Sequence, residues 1–294
     1  MKLATIRLGG GTRAVKQIDG DQHDGGALLD LGYPDLRALL TDPEGLSKAA
    51  AATDGTVYDA ETADFAPPVL DPDKVVCVAH NYGDHVRRLG LTLPQHPRLS
   101  TKFSSALIGA HDPIVKPADA HALDSAVELA VVIGRAVRHA DDEAAAAAIA
   151  GFTVMNDVTD RDLEFEMDEW GLGNIWDRST PIGPYLVTPD ELPGGVSPAV
   201  ALSTVVNGAQ VQTGDTANLH FDPVHVVRRV SRFMELVPGD VVATGSPSSP
   251  AHDHGAHLKA GDTIVASIDG IGACRSTVVD DAVVDGTAIG ASSH

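Results

Sequence analysis

Residues 123–135 read LDSAVELAVVIGR, and the fold class turns on this stretch. Residues 127–134, VELAVVIG, are apolar but for one carboxylate, Glu128, and end on a glycine. Such a run predicts a buried strand. A charge on a buried strand is costly unless something pairs or coordinates it. A second apolar run, GFTVMN at 151–156, delivers Asp157 at its end. Two acids held by buried strands point to a cation site.

Between these runs, DDEAAAAAIA predicts an alanine-rich helix over 141–150, with Asp141 and Asp142 where the helix dipole favours negative charge. TDRDLEFEMDEW predicts a helix from Thr159, which would put Asp157, Arg161 and Glu164 on one face. LSTVVNGAQVQ predicts a hairpin turning at Asn207-Gly208. DPVHVVRRVSRFMEL predicts an amphipathic helix with Val224, Val227, Val230 and Met234 inward, ended by Pro238-Gly239. VVCVAHNY and DVVATG read as strands, and GDHVRRLG as a short helix stopped by Gly90. At the N-terminus, residues 2–8 alternate as a strand that pairs back through a Gly9–Gly11 turn, and two short helices follow. Pro67, Pro68 and Pro72 exclude helix or central strand from ADFAPPVLDPDK, which is read as a linker. The expected division is a small α+β domain at 1–70, a main domain at 71–284, and a disordered tail at 285–294.

The 294 residues carry a net charge of -20, which disfavours nucleic acid and anionic membranes as partners. No stretch reaches the ~20 apolar residues that span a bilayer. MKLATIRLGG lacks a signal-peptide core, so a cytoplasmic protein is expected. The two cysteines, Cys77 and Cys274, fall in apolar runs and read as buried free thiols.

Seven motifs follow one another: NYGDH, ELAVVIG, NDVTDRD, PIGP, VNG, PGDVVATG and GD. In this order they resemble the fumarylacetoacetate hydrolase family, over roughly residues 75–279. The resemblance implies an α+β, mainly β fold of mixed packed sheets with short flanking helices. It also implies a homodimer and an enzyme of small 2-oxo acids or 1,3-dicarbonyl compounds. C–C bond hydrolysis, decarboxylation and tautomerisation, each through an enolate, all belong to the family, and fold alone does not choose among them.

The resemblance further implies a divalent cation, Mg²⁺ or Mn²⁺ or else Ca²⁺, held by three carboxylates. Glu128 and Asp157 match two of them, and the third position is Ala126. Period two puts 126 and 128 on one strand face, so the missing ligand predicts weak binding or none. His85 matches the family base, but Arg88 stands where its glutamate partner is expected. Arg88 reads either as a grip on a substrate carboxylate or as a solvated residue. Lys102 matches a lysine near the site, and Asn174 replaces a second one. Arg161 matches a substrate-facing arginine. Glu164 replaces a glutamine, either supplying the carboxylate Ala126 lacks or facing water. Thr244 and Gly245 stand at the substrate turn. His252, His254 and His257 in AHDHGAH read as a softer-metal site or as a polar loop. The alternatives to the family's usual enzyme are a repurposed enzyme working without metal and a non-catalytic binding homologue.

Overall fold

The computed structural model describes residues 1–18, 26–166, 171–248, 255 and 257–281. The chain begins with β1 (Lys2–Leu8), β2 (Gly11–Ile18), β3 (Ala27–Asp30), α1 (Leu36–Thr41), α2 (Gly45–Ala51), β4 (Val57–Asp59) and β5 (Asp64–Phe65). Next come β6 (Val75–Ala79), α3 (Gly83–Arg88), β7 (Arg98–Lys102), β8 (Leu107–Gly109) and β9 (Ile114–Lys116). The long strands β10 (Leu123–Ile133) and β11 (Ile149–Asp160) are joined through α4 (Asp142–Ala148). Then follow α5 (Arg161–Glu166), β12 (Thr180–Val187), the hairpin β13 (Ala201–Val206) and β14 (Ala209–Asp215), and α6 (Pro223–Ser231). β15 (Val241–Ala243), β16 (Thr263–Ile268) and β17 (Gly272–Asp280) complete the described elements.

These strands form two sheets, the mainly β, mixed α+β arrangement expected. The larger runs β4-β3-β2-β1-β12-β11-β10-β15-β6-β7, with β5 against β1 and β8 against β12. The smaller runs β14-β13-β16-β17-β9. β1 pairs antiparallel with β12, which carries the N-terminal strands into the larger sheet. No helix among the described residues is long and apolar enough to cross a membrane.

All eleven residues of β10 are buried. Both faces are covered, so the strand reads as a continuous apolar run rather than an alternation. Val127, Leu129, Val131 and Ile133 join a core with Val227 and Val230 of α6 and with Leu202 and Ile268 of the smaller sheet. On the other face, Ala130 packs with Cys77 and Met155. Ala126 and Glu128 continue that second face.

Three boundaries differ from the sequence reading. β11 runs to Asp160 because its ladder with β10 continues to Leu123↔Asp160. The following helix therefore starts at Arg161, and Asp157 is a strand residue sharing no helix face with Arg161 and Glu164. α4 ends at Ala148, where β11 takes over. α6 ends at Ser231, well before Pro238-Gly239, with Val226 buried and Val224 only partly so. Both helices are N-capped by aspartates: Asp141 accepts from Ala144 N–H and Asp222 from His225 N–H. The tail 285–294, and His252 and His254, lie outside the described residues.

Candidate active site

Strand register decides where the acids meet. Ala126 is directly opposite Asp157, and Glu128 is opposite Met155. Opposed residues share a sheet face, so Glu128 and Asp157 are diagonal neighbours on the face that carries Ala126. They line a cavity of about 510 Å³ together with His85, Arg161, Glu164 and Asn174.

Each acid is compensated differently. Gly245 donates its backbone N–H to Glu128 Oε2 at 2.8 Å. Gly245 sits at φ +93, and a Cβ there would lie 2.7 Å from the Val78 carbonyl oxygen, so a glycine is required for this approach. Burial pushes the Glu128 carboxyl well above its ordinary value, and the Asp157 charge adds to the effect. Asp157 Oδ1 faces Lys102 Nζ at 2.9 Å. Lys102 is buried and also donates to the carbonyls of Val158 at 2.8 Å and Asn174 at 3.0 Å. It is held beneath the cavity by these two carbonyls and its ion pair with Asp157, and it does not line the open space.

Arg161 is held from two sides. Its Nε donates to Asp124 Oδ2 at 3.0 Å, and one terminal nitrogen donates to Glu164 Oε2 at 2.7 Å. Burial opposes its charge, but Asp124 and Glu164 outweigh burial and raise its pKa above the ordinary value. Glu164 is thus turned to Arg161. Among the described residues no three Asp, Glu, His or Cys side chains gather as a metal-binding group. Asn174 is buried, and its Oδ1 accepts from Thr159 Oγ1 at 3.0 Å.

His85 lies on α3, buried at the cavity wall. The corner before it is pinned by Asn81, whose amide donates to the Phe221 and Thr244 carbonyls at 2.9 and 2.8 Å and accepts from Phe221 N–H. The Asn of NYGDH is therefore a structural residue. Arg88 donates to the Pro247 carbonyl at 2.8 Å, tying α3 to the loop after β15. Thr244 is wholly buried, with its hydroxyl donated to the Leu129 carbonyl at 2.9 Å. The loop is further held by Gln212 of the smaller sheet, which donates to Ser248 O and accepts from Val127 N–H. That bond satisfies a β10 amide beyond the end of β15. Cys77 lines the cavity as a thiol whose pKa burial raises, and both cysteines are free and buried.

Polar cavity residues that the sequence reading missed include His80, Arg98, Ser100, Thr159 and Ser246, and it also missed Asp124, the partner of Arg161. None belongs to a quoted working position. Only the β6/β7 register could have found Arg98 and Ser100.

Against known proteins, residues 74–279 match the family model for the fumarylacetoacetate hydrolase C-terminal domain. A mitochondrial oxaloacetate tautomerase of Bos taurus is 36% identical over 272 residues, covering 88% of this chain and 86% of that protein. Among solved structures, the 5-carboxymethyl-2-hydroxymuconate delta-isomerase of Mycobacterium smegmatis superposes with TM-score 0.77 at 30% identity, over 96% of this chain and 99% of its own. The maleylpyruvate hydrolase of Sphingobium sp. SYK-6, in complex with manganese(II) and pyruvate, does so with TM-score 0.77 at 26% identity, over 95% and 99%. The chain belongs to the fumarylacetoacetate hydrolase family and is an enzyme of that family.

Proposed function

We propose that the cavity takes a small 2-oxo acid or 1,3-dicarbonyl compound and interconverts its keto and enol forms. The observation that carries this reading is the placement of His85 on the wall of the cavity that Glu128 and Asp157 enter from the sheet. The His85 imidazole takes a proton from the carbon beside the carbonyl. The electron pair of the broken C–H bond moves onto the carbonyl oxygen, and returning the proton to that oxygen gives the enol. The family's hydrolytic members must instead activate water. With an arginine at position 88, the imidazole has no glutamate at that helical position to raise its basicity. A proton next to a carbonyl is the smaller demand. The tautomerase and isomerase names of the relatives support the same choice.

Glu128 and Asp157 fit a weakly held divalent cation. Both are oxygen donors on one face, as a hard ion requires, and Mg²⁺ commonly takes only one or two carboxylates, leaving its other positions to water and substrate. The local charge agrees: among the described residues, Asp124, Glu128, Asp157 and Glu164 stand around Lys102 and Arg161, with Arg98 elsewhere on the cavity wall. A bound ion would stabilise the enolate. A specific observation favours a second, metal-free reading: Lys102 already stands on Asp157, and Ala126 offers no ligand.

The test follows oxaloacetate keto–enol exchange by the ultraviolet absorbance of the enol. His85→Ala should lower turnover about 10²- to 10⁴-fold, as expected for loss of a general base. Near wild-type turnover in that variant overturns the assignment. Activity that survives EDTA selects the metal-free reading, and activity restored by Mg²⁺ or Mn²⁺ selects the other.

A further inference from the structure

Glu128 and His85 both hang from one loop, residues 244–248 after β15. The Gly245 amide of this loop holds Glu128. Its Thr244 carbonyl accepts from the Asn81 amide at 2.8 Å, just before α3. Its Pro247 carbonyl accepts from Arg88, the last residue of α3, at 2.8 Å. His85 lies between these two anchors. α3 has only six residues and no side chain caps its N-terminus, so its position is set by what it is tied to.

The loop in turn is seated on the smaller sheet. Gln212 and Gly214 stand two residues apart on β14 and share a face. Gln212 Nε2 donates to the Ser248 carbonyl at 2.7 Å, while its Oε1 accepts from Val127 N–H at 2.8 Å and from Thr204 Oγ1 at 2.6 Å. A Cβ at position 214 would lie 2.6 Å from Pro247 Cβ, so the proline ring packs directly on the glycine. Arg88 itself does not line the cavity, and its guanidinium is turned to a backbone carbonyl and not to the space a substrate would fill.

We propose that Arg88 is a positioning residue for the reaction: its bond to Pro247 fixes His85 against Glu128 and Asp157, with β14 of the smaller sheet as the seat. The assignment rests on reading His85 as the base, and it adds what holds that base in place. A base must come within hydrogen-bond reach of the proton it takes, and a misplacement of about 1 Å can cost about 10²-fold in rate.

The experiment measures kcat and KM for oxaloacetate keto–enol exchange in Arg88→Met, Arg88→Lys, Gly214→Ala and the variant carrying both Arg88→Met and Gly214→Ala. It also follows the His85 ring signal by NMR, assigned from its loss in His85→Ala. Arg88→Met should lower kcat about 10-fold at unchanged KM, the effect of losing one hydrogen bond from a charged donor that matters only in the transition state. Arg88→Lys, whose ammonium can donate to the same carbonyl, should recover most of the loss. The His85 signal should move in Arg88→Met and return toward its wild-type position in Arg88→Lys. Gly214→Ala, which displaces Pro247, should also lower kcat, and adding Arg88→Met to it should remove less than in wild type, because both act through one carbonyl. Unchanged kcat in Arg88→Met, a raised KM at unchanged kcat, no recovery with lysine, or losses that multiply in the double variant overturns the assignment. Near wild-type turnover in His85→Ala removes the base and the positioning role with it. Loss of turnover in His85→Ala, with an unmoved His85 signal in Arg88→Met, leaves the base and removes only the role of Arg88.

Discussion

Glu128 and Asp157 stand on the two longest strands, in the interior of the larger sheet, whereas Arg98 and Ser100 stand on β7, at its edge. The interior pair stands on adjacent strands, where Glu128 accepts from the Gly245 amide and Asp157 faces Lys102. The edge residue Arg98 is solvent-exposed and reaches the His80 imidazole at 2.8 Å. In the interior, function and stability are therefore coupled. At the edge, an exposed side chain can change with little effect on the fold.

Lys102→Met should show the coupling most strongly. The lysine side chain is fully enclosed, and its loss strands Asp157 together with the Val158 and Asn174 carbonyls. Breaking one side of a buried pair costs about 3–5 kcal/mol, read from chemical denaturation. A loss below about 1 kcal/mol would mean that water replaces the ammonium, and the interior would then be no more demanding than the edge.

Ala126→Glu sharpens the same contrast. Position 126 faces Asp157 directly, so a third carboxylate there joins the other two. Without a cation the new charge should destabilise the protein. With Mg²⁺ or Mn²⁺ at a hundredfold excess over Kd, stability should rise by about 2.7 kcal/mol. Wild type should gain clearly less in the same titration. Equal metal responses in the two proteins would show that Glu128 and Asp157 do not converge.

A smaller effect is expected from Glu128→Gln in chelated solution. The Glu128 pKa is raised in the folded state, so the native protein keeps a proton that the unfolded chain gives up. Stability from this group is present below the ordinary carboxylate pKa and is lost as pH rises toward the raised folded value. The glutamine still accepts from Gly245 and does not titrate. Melting temperature against pH should therefore be flatter above the ordinary carboxylate range, and a profile identical to wild type would show that Glu128 is charged in the native state at no cost.

Least of all should change in the stability of Arg98→Met. An exposed edge side chain is usually worth within about 0.5 kcal/mol. A loss of several kcal/mol would erase the distinction between the two ends.

The long strands β10 and β11, the helices α4 and α6, the two buried thiols and the shared face of positions 126 and 128 were legible in the sequence. Each rests on a local period or on a residue's immediate neighbours, and the ordered motifs added the family. The tertiary structure decided what lies across from what. The pairing of Ala126 with Asp157, the seat of Lys102, the capture of Arg161 between Asp124 and Glu164, and the placing of Arg98 opposite Ala79 all depend on inter-strand register. Register is fixed by turns and by core packing far along the chain, and a shift of one residue would turn each of these side chains to the other face. Periodicity therefore determined which residues share a face, and only the assembled sheet determined which faces meet and which charges they bring together.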